Sequence, residues 1–341
     1  MMPKPFLNEL STLALSLSEG ERKLFSSPVH WVCLGNGDAD FQDNVIFFGF
    51  ANQQSDPTLV AKVPRLVKNG WMLKTEYDHL VELWDCIGPE AGKYVPKPYA
   101  LVSLQERPVL MISYVRGESL TRLWRKSFWE DRSQVTALAK EAARSLRALN
   151  QLTESAKAID ESLNPDLQSK ADKFRELFQL SPEEDHALSE MVKIVNDQSQ
   201  AARHKVLIQG DFWHGNMIRD QKRGTLLFVD WQFARWSADV SLDVYFFLLA
   251  GALSATGNGP VKERAKLAYQ LLSDWRLDVI PAYLAAYGTP EHYVLLSQKQ
   301  GMLLCCVEKT VRSALEFGYH HSDDLLWRSL FAELQNWPVE S

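Results

Sequence analysis

The strongest constraint on the fold is a change of hydrophobic period near Gly117. Before it, apolar residues come in short strand-like runs; after it, they recur mostly at helical spacing. Val29–Leu34, Val45–Phe50 and Thr58–Val63 read as three strands, the third ended by Pro64, with turn chemistry at Gly35–Asp38. Residues 72–87 carry Leu73, Tyr77, Leu80, Leu83 and Trp84 at helical spacing, and two more strands follow near 99–104 and 108–115. Beyond Gly117, helices are predicted over 118–126, 131–152, 167–178, 182–202, 241–254, 261–286, 290–317 and 322–336, with one β interlude at 205–230. The predicted class is α+β. An N-terminal helical extension (1–24) precedes a small antiparallel-sheet N-lobe with one inserted helix (25–115) and a larger, mainly helical C-lobe (116–341). Two such lobes imply a cleft between them.

Composition removes several functional classes. The 341 residues carry a net charge of −6, where a general nucleic-acid binder is usually basic, so no nucleic-acid partner is expected. The first 23 residues lack the apolar core of a signal peptide, and Phe6, Leu10, Leu13 and Leu17 fall on one helical face instead. The most apolar stretch, Val244–Leu253, is too short to span a bilayer. Cysteines 33, 86, 305 and 306 form no C-x-x-C pair and read as thiols of a reducing compartment. The expectation is a cytoplasmic protein with no membrane span.

The chemistry is concentrated in two stretches. Val206-Leu-Ile-Gln-Gly-Asp-Phe-Trp-His-Gly-Asn-Met-Ile218 places Asp211 and Asn216 five apart in a loop after an apolar strand. Leu226-Leu-Phe-Val-Asp-Trp-Gln-Phe-Ala-Arg235 then delivers Asp230 at the end of the next hairpin. Phosphoryl transfer from magnesium–ATP needs this set of parts: a carboxylate to orient the accepting hydroxyl, and a second carboxylate with an amide oxygen to hold the metal.

QGDFWHGNM and VDWQFARWSADVSLDVYFFL resemble the aminoglycoside phosphotransferase and choline kinase-like small-molecule kinases, the C-terminal half most closely the ecdysteroid kinase-like proteins. The resemblance runs from about residue 30 to the end and is most specific over 206–250. It implies a bilobal protein-kinase-like fold, with Asp211 as catalytic base, Asn216 and Asp230 as magnesium ligands, and Asp243 bracing the loop from a helix N-terminus. Gln209 stands where the family usually has His; Gln also donates and accepts, so a repositioned support is expected.

In the small lobe, Lys62 in Leu-Val-Ala-Lys-Val is similar to the kinase lysine that grips the α and β phosphates. Glu76, fourteen residues on, is placed to pair with it, with Glu82 as the rival. Gly35 and Gly37 supply two glycines of a phosphate-covering loop whose third position is Asp40, and Asn44 would end it before a strand. Val109–Gly117 looks like the family's hinge strand, so backbone groups of Ser113 and Val115 are the expected partners of the purine edge, with Met111 behind it. His214 is expected to shape the loop or touch substrate, and no zinc site is expected at His320–His321.

The acceptor's chemistry is read from the last helices. Residues 255–341 contain ten Asp or Glu against eight Lys or Arg, without the acidic surplus a polycationic aminoglycoside calls for. They also contain Tyr269, Trp275, Tyr283, Tyr287, Tyr293, Phe317, Tyr319, Trp327, Phe331 and Trp337. The expectation is an ATP- and Mg2+-dependent phosphotransferase acting on a small-molecule hydroxyl, a neutral or amphipathic alcohol or sugar being favoured. The alternative is a nucleotide-binding pseudokinase acting as scaffold or regulator, to which Gln209 and the incomplete glycine loop point.

Overall fold

A computed structural model of the chain describes residues 4–18, 29–34, 44–51, 54–154, 165–201, 204–220, 223–288, 290, 292–317 and 322–338. The glycine loop with Gly35 and Gly37, and the His320–His321 pair, lie outside the described residues. The chain divides into two compact units, Met1–Glu118 with Ile218–Ala234, and Ser119–Met217 with Arg235–Ser341.

The first unit opens with α1 (Lys4–Ser18), followed by strands β1 (His30–Leu34), β2 (Asn44–Phe50) and β3 (Leu59–Pro64). Helix α2 (Gly70–Ile87) is inserted before β4 (Pro98–Leu104) and β5 (Arg107–Ser113). The five strands form one antiparallel sheet in the order β1-β2-β3-β5-β4. Strand alternation splits β3 between two covers. Leu59, Ala61 and Val63 join Phe47, Val109 and Met111 in a core completed by Phe6, Leu10 and Ala14 of α1. The N-terminal helix is therefore not a free extension: its i, i+4, i+8 stripe is buried in the core of the sheet. Lys62 takes the opposite face of β3, toward α2, where it bonds Glu76.

The chain leaves this unit through β6 (Glu118–Ser119) into α3 (Leu120–Glu130), α4 (Arg132–Thr153), α5 (Pro165–Leu177), α6 (Pro182–Ala201) and β7 (Val206–Ile208). It then returns to the first unit for the hairpin β8 (Met217–Asp220) and β9 (Thr225–Phe228). A 117–118 approach requires glycine there: a Cβ on Gly117 would stand 2.3 Å from the Arg219 carbonyl oxygen. Ile218–Ala234 thus belongs to the first unit, its hairpin pairing with β6 in a separate three-stranded sheet, although residues of the second unit flank it on both sides in sequence.

The second unit resumes with β10 (Arg235–Ser237), which pairs antiparallel with β7, and with α7 (Ser241–Ala255). It ends in α8 (Val261–Trp275), α9 (Val279–Tyr287), α10 (Gln298–Phe317) and α11 (Ser322–Leu334). Helix α7 is buried from Ser241 to Leu253, the position expected of a helix apolar on every side. The single helix expected over 261–286 is two, because Asp278 accepts a hydrogen bond from Val279 N–H at 2.6 Å and starts a new helix. The helix expected over 290–317 begins only at Gln298. Upstream, Val294 N–H donates to Ala238 O at 2.6 Å, holding the segment extended. Among the described residues no helix is long and apolar enough to cross a membrane.

Candidate active site

In the first unit, β3 and α2 bring Lys62 and Glu76 together. Lys62 Nζ lies 2.7 and 2.9 Å from the two Glu76 oxygens. It also bonds Asp230 Oδ1. Lys62 and Glu76 are 5% and 0% exposed, whereas the Asp230 side chain is 40% exposed. Burial pushes the Lys62 ammonium toward its neutral form, but the Asp230 and Glu76 carboxylates outweigh it and hold its proton above the ordinary lysine range. Of the two carboxylates considered for Lys62, Glu76 is the one that holds it.

Helix α2 also fixes the segment that carries Asp230. Trp231 N–H donates to Glu76, and His79 Nδ1 donates to the Trp231 carbonyl at 2.9 Å. Asp230 sits at φ 61°, in the left-handed region that few non-glycine residues adopt. Such a backbone costs of order 1–3 kcal/mol and persists where its surroundings over-determine it.

Strand alternation overturns one expectation about the purine pocket. Met111 packs in the core under α1, beside Ala61. Leu110 and Ile112 are the β5 residues in register with Lys62 and Val60. Ser113 and Val115 line a cavity of about 300 Å³ at the end of β5, together with Trp84 and Lys97. The Ser113 N–H is spent on the Lys97 carbonyl at 2.8 Å. Asn44 begins β2, opposite Pro64.

In the second unit, the loop after β7 is held from below by Asp243 in the first turn of α7. Its two carboxylate oxygens accept from Gln209 N–H at 2.7 Å and Gly210 N–H at 2.8 Å. Burial pushes the Asp243 carboxyl up to about 6. Gln209 is buried, so the residue that replaces the expected His is positioned through its own main chain. Beyond it the side chains alternate. Phe212 and His214 point into the core, while Asp211 and Trp213 line a cavity of about 490 Å³.

His214 is 0% exposed and lies between two hydroxyls, with Nδ1 3.0 Å from Thr121 Oγ1 and Nε2 3.0 Å from Ser254 Oγ. Ser254 donates its one proton to Gly251 O at 2.9 Å, so Nε2 must carry the imidazole proton. Burial, helped by Arg125, depresses this imidazole to about 4. His214 is a neutral support of the loop.

Asn216 donates through Nδ2 to Asp211 Oδ2 at 2.8 Å and to the Asp211 carbonyl at 3.0 Å. Two residues missed in the sequence complete the surroundings of Asp211. Lys309 bonds Asp211 Oδ1 and stands 3.6 Å from the centre of the Phe246 ring. Arg312 donates to Gly210 O at 2.8 Å and lies 3.8 Å from Asp211 Oδ1. Their signal was the cluster Glu308-Lys309…Arg312 directly after the buried apolar run Met302–Val307 of α10. Glu308 is itself buried and held by Lys170 at 2.9 Å and Arg235 at 3.0 Å. These cations outweigh its burial and bring its carboxyl down to about 2. Of the ten aromatic residues in 255–341, Trp327 lines the cavity; Trp275, Tyr283, Tyr287, Tyr293, Phe331 and Trp337 are buried.

Comparison with known proteins gives this arrangement its place. The profile of the phosphotransferase enzyme family matches residues 87–289, more than half of the chain. No curated protein matches it significantly in sequence. Among solved structures, the aminoglycoside phosphotransferase APH(3'')-Id from Streptomyces rimosus is similar, with a TM-score of 0.50 at 17% identity over 93% of this chain and 98% of that one. The same Streptomyces rimosus protein in complex with ADP and streptomycin gives a TM-score of 0.51 at 18% identity over the same shares. At such identity the likeness establishes the protein-kinase-like fold, with its small antiparallel sheet and mainly helical remainder. Neither the profile nor these structures bears on the ecdysteroid kinase-like branch. The matched segment contains Asp211, Asn216, Asp230 and Asp243, and the chain belongs to the phosphotransferase enzyme family.

Proposed function

We propose that the protein transfers the γ-phosphoryl group of ATP, as its magnesium complex, to a hydroxyl of a small molecule. The observation that carries this reading is Asp211, held on one side by the Asn216 amide and opening on the other into a cavity of small-molecule size. Asp211 aligns the hydroxyl and takes its proton as the new oxygen–phosphorus bond forms and the bond to the β-phosphate bridge breaks. The work is chiefly positioning. Asp243 fixes the loop backbone, Asn216 fixes the carboxylate, and neutral His214 locks the loop to α3 and α7.

The donor chemistry suits a hard cation. Asn216 commits its NH2 to Asp211, so its amide oxygen is the atom suited to a cation, and Asp230, whose Oδ1 bonds Lys62, brings a carboxylate. Magnesium prefers such oxygens and, when bound, neutralises charge on the phosphates. Lys62, kept protonated by Glu76 and Asp230, is the cation assigned to the α and β phosphates. Ser113, through its carbonyl, and Val115 are assigned to the purine edge, and Gly35, Gly37 and Asn44 to the phosphate-covering loop. The streptomycin- and ADP-bound neighbour supports a nucleotide and a small molecule as the two ligands. The four free cysteines suit a cytoplasmic setting.

The test is Asp211→Asn. Transfer, read as acceptor-dependent ADP release, is expected to disappear while calorimetric binding of ATP keeps its magnesium dependence. Turnover equal to wild type would remove Asp211 from the reaction. Gln209, which pointed to a non-catalytic scaffold, has its backbone held by Asp243 like the rest of the loop and gives that alternative no support.

A further inference from the structure

Among the described residues, the cavity beside Asp211 is lined by more cations than carboxylates. Its described lining includes Arg125, Arg264 and Lys309, with Asp211 as the one acidic group among those described residues. Lys309 is already committed to Asp211. Arg264 donates through Nε to Thr256 Oγ1 at 3.3 Å, and among the described residues neither arginine has a carboxylate partner. The opposite wall is aromatic, with Trp213, Phe246 and Trp327, the last two with ring centres 5.5 Å apart.

We infer that the acceptor is a hydroxylated anion, a small molecule bearing a carboxylate or a phosphate monoester, held by Arg125 and Arg264 while its hydroxyl reaches Asp211. This rests on the phosphotransferase reading of Asp211 given above.

The charge arithmetic over residues 255–341, ten acidic against eight basic, hides this concentration, and two of the acidic groups are spent elsewhere. Glu308 faces Lys170 and Arg235, and Asp278 pairs with Arg132 at 2.7 Å. Arg264 and Lys309 face the cavity. Guanidinium groups stay charged at any working pH and present a planar fork that matches carboxylate and phosphate oxygens. The aromatic wall lowers the local dielectric and strengthens that attraction. Lys309 adds a selection of its own. A hydroxyl that claims Asp211 competes with the Lys309 ion pair. A neutral alcohol offers the ammonium no replacement partner, whereas an anion does. A polycation meets three like charges and is rejected.

Four hexose-sized probes test this: gluconate, glucose 6-phosphate, glucose and glucosamine. Each is titrated calorimetrically into the wild-type protein and into an Arg125→Gln/Arg264→Gln double variant, with magnesium–ATP affinity as the control for folding. At least one anion is expected to bind tenfold or more tightly than glucose, with glucosamine weakest, and the double variant is expected to level all four to within about twofold. Whether gluconate or the phosphate ester leads separates the two anionic groups. Glucose or glucosamine matching the anions, binding of none of the four, or a preference that survives in the double variant overturns the inference. ADP release is then measured with the same probes. Anion-selective binding without ADP release keeps Arg125 and Arg264 as an anion site but removes the transfer reading, and with it the anion's role as acceptor. ADP release confined to glucose or glucosamine does the reverse.

Discussion

Two lysine–aspartate pairs stand at the two halves of the candidate chemistry, and they are built differently. Lys62 is buried with two carboxylates, Glu76 at 0% exposure and Asp230, so its proton is held by a surplus of negative charge. At Asp211 the surplus is reversed: one carboxylate, its side chain 20% exposed, faces Lys309 and, at 3.8 Å, Arg312. The first arrangement pins a cation in place. The second leaves a carboxylate screened by cations that a ligand can draw away. A buried cation held by two carboxylates is costly to disturb, whereas an aspartate surrounded by Asn216, Lys309 and Arg312 can lose one partner and keep the others. The difference suits one site to holding phosphates and the other to admitting an acceptor.

The comparison can be broken most sharply at the two aspartates. Asp211→Asn is expected to lower transfer by about 10²–10⁴-fold, the range for loss of an essential acid–base group, and to cost less stability than Lys62→Met. Acceptor-dependent ADP release and urea unfolding read the two halves of that statement. Lys62→Met leaves Glu76 buried without its cation and is expected to cost about 3–5 kcal/mol of stability, together with most of the affinity for magnesium–ATP. Chemical denaturation beside calorimetry checks both, and a variant as stable as wild type would mean that the triad is not the anchor described here.

His214 offers a titration that isolates the second unit. The fold holds this imidazole near 4, against an ordinary 6.5, so the native state refuses a proton that the unfolded chain accepts. Its contribution is complete above pH 6.5 and is lost as pH falls toward 4, by about 3 kcal/mol in all. Urea midpoints of wild type and His214→Gln at pH 7.5, 5.5 and 4.5 should converge as the pH falls. Parallel curves would refute the buried neutral imidazole. Packing gives the next effect. A Cβ on Gly301 of α10 would stand 2.0 Å from the Tyr245 ring of α7. Gly301→Ala is accordingly expected to destabilise by about 1–3 kcal/mol, read from the same urea curves. The smallest effect closes the comparison: Lys309→Met leaves Asp211 with Asn216 and Arg312 beside it and should cost much less stability than the loss at Lys62. Equal losses would erase the distinction between the two pairs.

What could be read in advance follows sequence distance. Asp211 and Asn216 share one loop, and Asp230 ends the hairpin that follows, so local pattern exposes them. Lys62 and Glu76 are fourteen apart on a strand and its next helix, a separation that strand and helix geometry can bridge. Lys309 is 98 residues from Asp211 and meets it only because α10 packs against α7. Arg125 and Arg264 come from two further helices. No periodicity predicts which of the many charged residues on these helices face a cavity. Likewise the α1 stripe announces that the helix is buried somewhere, but not that the sheet is its partner. Met111 was misplaced because one residue along a strand reverses the face a side chain takes.

The segment Ile218–Ala234, which rejoins the first unit after about a hundred residues of the other, bears on how the protein is made. Lys62 precedes Asp230 by 168 residues. At ribosomal rates of about 5–20 residues per second, roughly 8–34 s separate their synthesis. For that interval the nascent sheet has its lysine and glutamate but lacks the aspartate and the hairpin that bears it. Neither unit can be completed before the other has begun to emerge, so their assembly during translation is interleaved.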